Sequence, residues 1–299
     1  ASGAMPLDRS ATIGPFRIEV IEPLRTIRYV VEANEQNISC DLTFRATTVA
    51  VEEPRQQRRT AEGIVLTDHT RLTQWGTWEG TISVDGEDLA VKAGDLPGTR
   101  DRSWGIRPVG EQLAVLRQPM PFQVFWLWAP LHFGDRFTHY AFHEHEDGRR
   151  WLETAAILDP LPDGASPCSR VGVRECYNVG YELDWEPGRR EIRRAHLWFT
   201  DPIEGETHIE LEKLYTFRMR GIGYWHPDWG HGSNHGQYEI GRESIRLDDF
   251  DPTDFTSLHL QNVVKATMGE RTGIGVVEQI AIGPHTPSGL TGFLDGHQG

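Results

Sequence analysis

The sequence predicts an all-β chain built as two β domains in tandem, and three observations carry that expectation. Short runs of alternating apolar and polar residues recur along the whole length, at the spacing expected of barrels or sandwiches. No long stretch holds a 3.6-residue apolar period. Two patterns also recur in the same order in both halves. Glu22-Pro-Leu-Arg-Thr-Ile-Arg28 is echoed by Glu186-Pro-Gly-Arg-Arg-Glu-Ile-Arg193, and Gly76-Thr-Trp-Glu-Gly80 by Gly232-Ser-Asn-His-Gly236.

In chain order, Phe16 to Ile21 and Arg25 to Val31 alternate as strands. Cys40 to Val51 is rich in β-branched residues, which suit a pleated, half-buried surface. Gly80 to Val91 carries Asp85-Gly86, a hairpin turn signal, between two strand-like runs. Pro121 to Trp128 and Thr138 to His143 continue the pattern, and Arg150 to Leu158 reads as a strand or a short helix. Leu158-Asp-Pro-Leu-Pro-Asp-Gly-Ala-Ser-Pro167 cannot continue a strand, because three prolines remove ladder donors. It reads as a domain linker or a long hairpin loop. Strands resume at Arg174. The expected division is residues 5–165 and 166–299, with Ala1 to Ala4 left out of the fold reading.

Composition narrows the function. The 299 residues include 44 acidic and 30 basic side chains, a net charge of −14. That balance disfavours nucleic acid or an anionic membrane as partner. No run approaches the roughly 18 apolar residues of a membrane span, and no secretion signal is seen at the start. Three cysteines, Cys40, Cys168 and Cys176, without a Cys-x-x-Cys pair fit reduced thiols and a cytoplasmic setting. Nucleotide-binding glycine motifs and the Gly-x-Ser-x-Gly elbow are absent. No cofactor is expected, and the sequence sets no oligomeric state.

The densest motif is Gly98-Thr-Arg-Asp-Arg-Ser-Trp-Gly-Ile-Arg107. If it is extended, Arg100, Arg102, Trp104 and Ile106 share one face, and Asp101, Ser103 and Arg107 the other. Charge buried on either face requires a partner. Two readings stay open: an Arg–Asp network that pins a sheet corner, and a ligand-facing site.

This motif resembles the Gly-x-Arg-Asp-His-Ser-Trp-Gly-x-Arg signature of the AttH/carotenoid 1,2-hydratase (hydroxyneurosporene synthase) group. Gly223-Tyr-Trp-His-Pro-Asp-Trp-Gly-His-Gly232 and Gly269-Glu-Arg-Thr-Gly-Ile-Gly-Val-Val-Glu-Gln279 are also similar to bacterial members of that group. The resemblance implies two tandem lipocalin-like (calycin) β-barrel domains, and a lyase or isomerase of the hydratase or cyclase kind. Two features depart from the group. Its signature histidine is Arg102 here. Phe125 to Leu131, where a downstream acid is expected, has none, and Asp135 is the nearest carboxylate after it.

Protonating an alkene needs an acid in a dry pocket and a surface that stabilises a cation, as aromatic faces do. Asp101 is the candidate acid, although Arg100 and Arg102 beside it lower a carboxyl pKa and favour the reading of it as a structural ion-pair partner. Asp101, Arg102 and Trp104 are the expected catalytic set. Arg107, Trp126, Trp128, Tyr224 and His231 are the expected substrate-binding set. His226, His231 and His235 sit among glycines that disfavour a helix, so no metal site is expected, and a pocket-mouth loop or plain packing accounts for them. His139, His143 and His145 read as partly exposed strand residues. The expected function is a cofactor-independent lyase or isomerase acting on an isoprenoid-like or polycyclic apolar small molecule. The alternative is a non-catalytic, lipocalin-like carrier of a lipophilic ligand.

Overall fold

The computed structural model describes residues 11–60, 62–107 and 122–297. It is nearly all β, and its strands form two sheets. The first contains β1 (Ala11–Ile13), β2 (Phe16–Glu22), β3 (Thr26–Val31), β4 (Ile38–Ala46), β5 (Val51–Glu52), β6 (Gln56–Arg59), β7 (Val65–Val84) and β8 (Glu87–Ile106). Its antiparallel backbone runs β1-β2-β3-β4-β7-β8, and β5 and β6 continue along β7 beyond the end of β4. This sheet curls into a half-barrel. The hairpin joining β7 to β8 turns at Asp85 and Gly86, both at positive φ (53° and 85°). That is the backbone the Asp-Gly pair was expected to supply.

The second sheet contains β9 (Val124–Trp128), β10 (Leu131–His132), β11 (Phe137–Glu144), β12 (Arg150–Leu158), β13 (Val173–Trp185), β14 (Ile192–Asp201), β15 (Gly205–Arg218), β16 (His259–Met268) and β17 (Arg271–Ile282). Because β9 pairs with both β11 and β17, this sheet closes into a barrel. Full closure leaves no free edges. The chain is therefore all-β with two lipocalin-like units, the first open and the second closed.

The sheets change partners between Ile106 and Val124, which corrects the expected division at 165/166. Leu158 pairs with Val173, and Asp159 N donates to Gly172 O at 2.8 Å. The proline-rich stretch is thus the loop of a barrel hairpin, and strands 124–158 belong with the C-terminal ones. The duplication is also less complete than its second pattern implied. Gly80 lies within β7 at φ +135, whereas Gly236 lies in an irregular segment outside any strand.

The barrel interior is filled by its own side chains, among them Phe125, Tyr140, Phe142, Leu197, Phe199 and Ile209, each at most 2% exposed. Its outer wall is also apolar where the half-barrel leans on it. There Val49 and Trp75 of the first sheet pack on Phe137, Ala156 and Leu158 of the second. Burial on both faces explains why Val124-Phe-Trp-Leu-Trp128 is a continuous apolar run rather than an alternating one. Among the described residues no helix is long and apolar enough to cross a membrane.

Candidate functional site

The register of β7 on β8 decides which side chains meet. Paired residues of antiparallel strands point to the same face. Arg71 pairs with Ser103, and Thr73 with Asp101. These residues face the barrel. Leu72 pairs with Arg102, Thr70 with Trp104 and Gln74 with Arg100. These point the other way, where Arg100 Nη1 donates to Gln74 Oε1 at 2.8 Å.

The signature is therefore split between two faces, as strand parity predicted. Asp101 lies on the barrel side. Arg102 and Trp104, two of the three expected catalytic residues, lie on the opposite face, away from the site described next. The same alternation turns the Asp101 side chain to the opposite face from its sequence neighbours Arg100 and Arg102.

A cavity of about 790 Å³ lies between the half-barrel and the outer wall of the barrel, covered by the glycine-rich segment after β15. Arg107, Trp126, Tyr224 and His231, all expected binding residues, line it. Trp128 does not. Its Nε1 donates to Glu53 Oε1 at 3.2 Å, behind the cavity wall. Asp101 stands beside the cavity, with Arg71, Glu278, Glu53 and Arg107 as its charged neighbours.

One side of the cavity is aromatic. His143 lies between Trp126 and Trp151, each 4.2 Å away by ring centroid. Burial among those rings, with Arg71 near, lowers its pKa to about 3, so it is neutral at pH 7. Phe122 and Trp225 extend this wall. His139, read as partly exposed, is fully buried under the half-barrel, where its ring meets Trp75 edge-on.

The other side is ionic. Arg71, 9% exposed, projects from β7 over Trp126 at 4.7 Å and Trp128 at 5.2 Å. Its Nε and Nη2 grip Glu53 at 2.8 to 3.0 Å. Glu53 also accepts from Thr73 Oγ1 at 2.8 Å and lies 3.1 Å from His139 Nε2. Burial alone would raise the Glu53 pKa, but His139 and Arg71 together hold it at about 2. Glu278 accepts from Trp126 Nε1 and Gln261 Nε2, both at 3.0 Å, and lies 3.4 Å from His259 Nε2. Against its burial, those contacts and Arg71 keep it ionised. Asp101 shows the opposite balance. Desolvation outweighs the nearby cations and raises its carboxyl pKa, although the residue as a whole stays solvent-exposed.

The remaining histidines are dispersed. His226 Nδ1 accepts from the backbone N–H groups of Asp228 and Trp229, and its Nε2 meets Glu243 at 2.8 Å. His235 meets the Asp228 carbonyl at 2.7 Å. Among the described residues no group of three potential ligands is placed to hold a metal ion.

Sequence reasoning missed Glu53, Arg71 and Glu278. Glu278 falls inside the quoted Gly269 to Gln279 stretch, so a signal was present. Arg71 sits in an alternating His-Thr-Arg-Leu-Thr run, and Glu53 had no local signal at all.

With this geometry in hand, the comparisons place the chain. The model of a family of unknown function (DUF8625) matches residues 1–291. The chain belongs to that family. The crystal structure of an AttH-like protein from Nitrosomonas europaea superposes with a TM-score of 0.51 at 14% identity, covering 91% of this chain and 69% of that one. This shows an AttH-like, lipocalin-like fold. The crystal structure of CghA aligns with a TM-score of 0.46 at 14% identity, covering 89% of this chain and 66% of that one. No curated protein matches the chain.

Proposed function

We propose that the protein is a cofactor-independent lyase or isomerase, hydratase- or cyclase-like. In this reading its substrate is an isoprenoid-like or polycyclic apolar molecule held between the two sheets, and Asp101 is the proton donor. One observation carries the reading. Asp101 faces the intersheet site with a raised pKa, and no described cation hydrogen-bonds its carboxyl. A carboxyl in that condition keeps its proton nearer neutral pH and can deliver it. Arg102 cannot take that role, because a guanidinium does not deprotonate in this range.

The chemistry then follows from the walls. A proton from Asp101 adds to an alkene carbon and leaves a cation on its neighbour. Trp126, Trp151 and Tyr224 present ring faces that stabilise such a charge. Glu278, held ionised, adds an electrostatic contribution of the same sign. The cation is discharged by loss of a proton to a neutral acceptor such as His231, whose pKa is lowered by burial and by Arg107, or by capture of water, whose surplus proton passes to the Asp101 carboxylate left by the first step. The unpaired thiols Cys40, Cys168 and Cys176 fit the cytoplasmic setting included in this proposal.

The test uses deuterium. Acyclic isoprenoid alkenes and polycyclic polyenes are incubated with the protein in heavy water and analysed by mass spectrometry. The expected result is deuterium gain that Asp101→Asn abolishes while ligand binding persists. Turnover by Asp101→Asn at the wild-type rate overturns the assignment of the acid. Binding with no deuterium gain in any substrate identifies a carrier instead.

A further inference from the structure

The arginines around the cavity are unequally engaged, and the difference describes the ligand. In this acidic chain, arginines elsewhere hold carboxylates: Arg28 holds Asp41, Arg55 holds Asp68, and Arg174 holds Asp201. Arg107 differs. It lines the cavity, and its hydrogen-bond partner is His69 Nε2, 3.3 Å from Nη2. His69 is neutral, because burial together with Arg107 and Arg71 lowers its pKa to about 4. A guanidinium donating to a neutral imidazole keeps its full charge, and among the described residues its other donors have no hydrogen-bond partner.

The nearby carboxylates are engaged elsewhere. Glu53 takes Nε and Nη2 of Arg71, which leaves Nη1 without a bonded partner among the described residues. Glu144 is held by Arg150, Tyr181 and His285. Glu278 has both oxygens committed to Trp126 and Gln261. Arg107 and the rim residue Arg58 therefore line the cavity with no carboxylate bonded to either among the described residues.

We infer that the cavity selects an apolar molecule carrying a carboxylate head, bound by Arg107 and by the free Nη1 of Arg71, with the apolar body against Trp126 and Trp151. An arginine fork matches a carboxylate in geometry and charge. Those guanidinium donors, which neither a hydrocarbon nor an alcohol engages as a fork, make a plain hydrocarbon or alcohol the poorer fit. This inference rests on the intersheet cavity being the ligand site, as proposed above.

The test compares acids with alcohols of the same body. Retinoic acid against retinol, and 1-pyrenebutyric acid against 1-pyrenebutanol, are titrated by quenching of tryptophan fluorescence. A charge-assisted contact predicts roughly ten- to a hundredfold tighter binding of each acid. Arg107→Gln is expected to erase that preference and Arg107→Lys to keep part of it. Alcohols binding as tightly as acids to the wild-type protein overturn the carboxylate inference and leave the proposed function standing. A preference that survives Arg107→Gln overturns the assignment to Arg107. Failure of both pairs to bind overturns this inference and the cavity reading together.

Discussion

Glu53 is the position where one substitution tests the interlock of the two sheets. Its carboxylate is buried, at 2% exposure, and every partner is named: Arg71 and Thr73 from the half-barrel, Trp128 and His139 from the barrel. Glu53→Gln keeps the size and removes the charge. One amide oxygen can still accept from Thr73 or Trp128, but the amide N–H2 now faces the Arg71 guanidinium, donor against donor. Breaking a buried ion pair in this way costs about 3–5 kcal/mol. The titration gives a second route to the number. Lowering a carboxyl from 4.5 to about 2 is worth about 3 kcal/mol at neutral pH. For a chain of this size that corresponds to a fall in Tm of roughly 6–10 °C.

The sign of the pH dependence follows. The folded pKa is depressed, so the contribution is present above the unfolded value near 4.5 and is lost as pH falls toward 2. Urea unfolding followed by near-ultraviolet circular dichroism at pH 7, 5, 4 and 3 provides the measurement. The gap between wild type and Glu53→Gln should be widest at pH 7 and shrink steadily below pH 5. A loss under about 1 kcal/mol at pH 7, or a gap independent of pH, would refute the interlock. Glu53→Gln combined with Arg71→Met should recover much of the loss, because a neutral pair leaves no stranded charge.

Three further outcomes are expected. Asp101→Asn should leave stability at pH 7 unchanged or raise it, because a carboxyl with a raised folded pKa loses stability as pH rises through that range; a clear drop in Tm would show that its carboxylate holds structure instead. Arg102→Ala should leave ligand affinity within about twofold of wild type, since it lies on the face of β8 away from the cavity, and a loss of binding at unchanged Tm would return it to the site. Gly98→Ala should cost about 1–3 kcal/mol by overpacking, because an added Cβ falls on the Trp78 indole; thermal denaturation that shows no change would remove the steric reason for that glycine.

How much of this was legible depended on whether the deciding information was local. The strands and the Asp85-Gly86 hairpin were, because period-two alternation and turn chemistry act over a few residues. The domain boundary was not. Three prolines between Leu158 and Pro167 look the same in a linker and in a hairpin loop, and only the pairing of Leu158 with Val173 separates the two. The outward tryptophans of β9 were hard to place for a related reason. A strand buried on both faces loses its alternation, so its sequence does not say which side is core and which is interface.

The signature shows the same limit within ten residues. Parity alone put Asp101 and Arg107 on one face and Arg102 and Trp104 on the other, yet contiguity in sequence had joined Asp101, Arg102 and Trp104 into one catalytic set. What parity lacks is the identity of the facing wall. That wall is supplied by Glu278 and Trp126, from strands at the far end of the barrel sequence and at its start, and by Tyr224 from an irregular segment. Once the wall is known, the arginine at 102 is placed on the face of β8 away from the cavity. It occupies the face where Arg100 meets Gln74, while its neighbour Asp101 turns toward the barrel with a carboxyl pKa raised by desolvation. The strand therefore turns alternate residues to two different faces, and the histidine-to-arginine departure falls on the face turned away from the cavity.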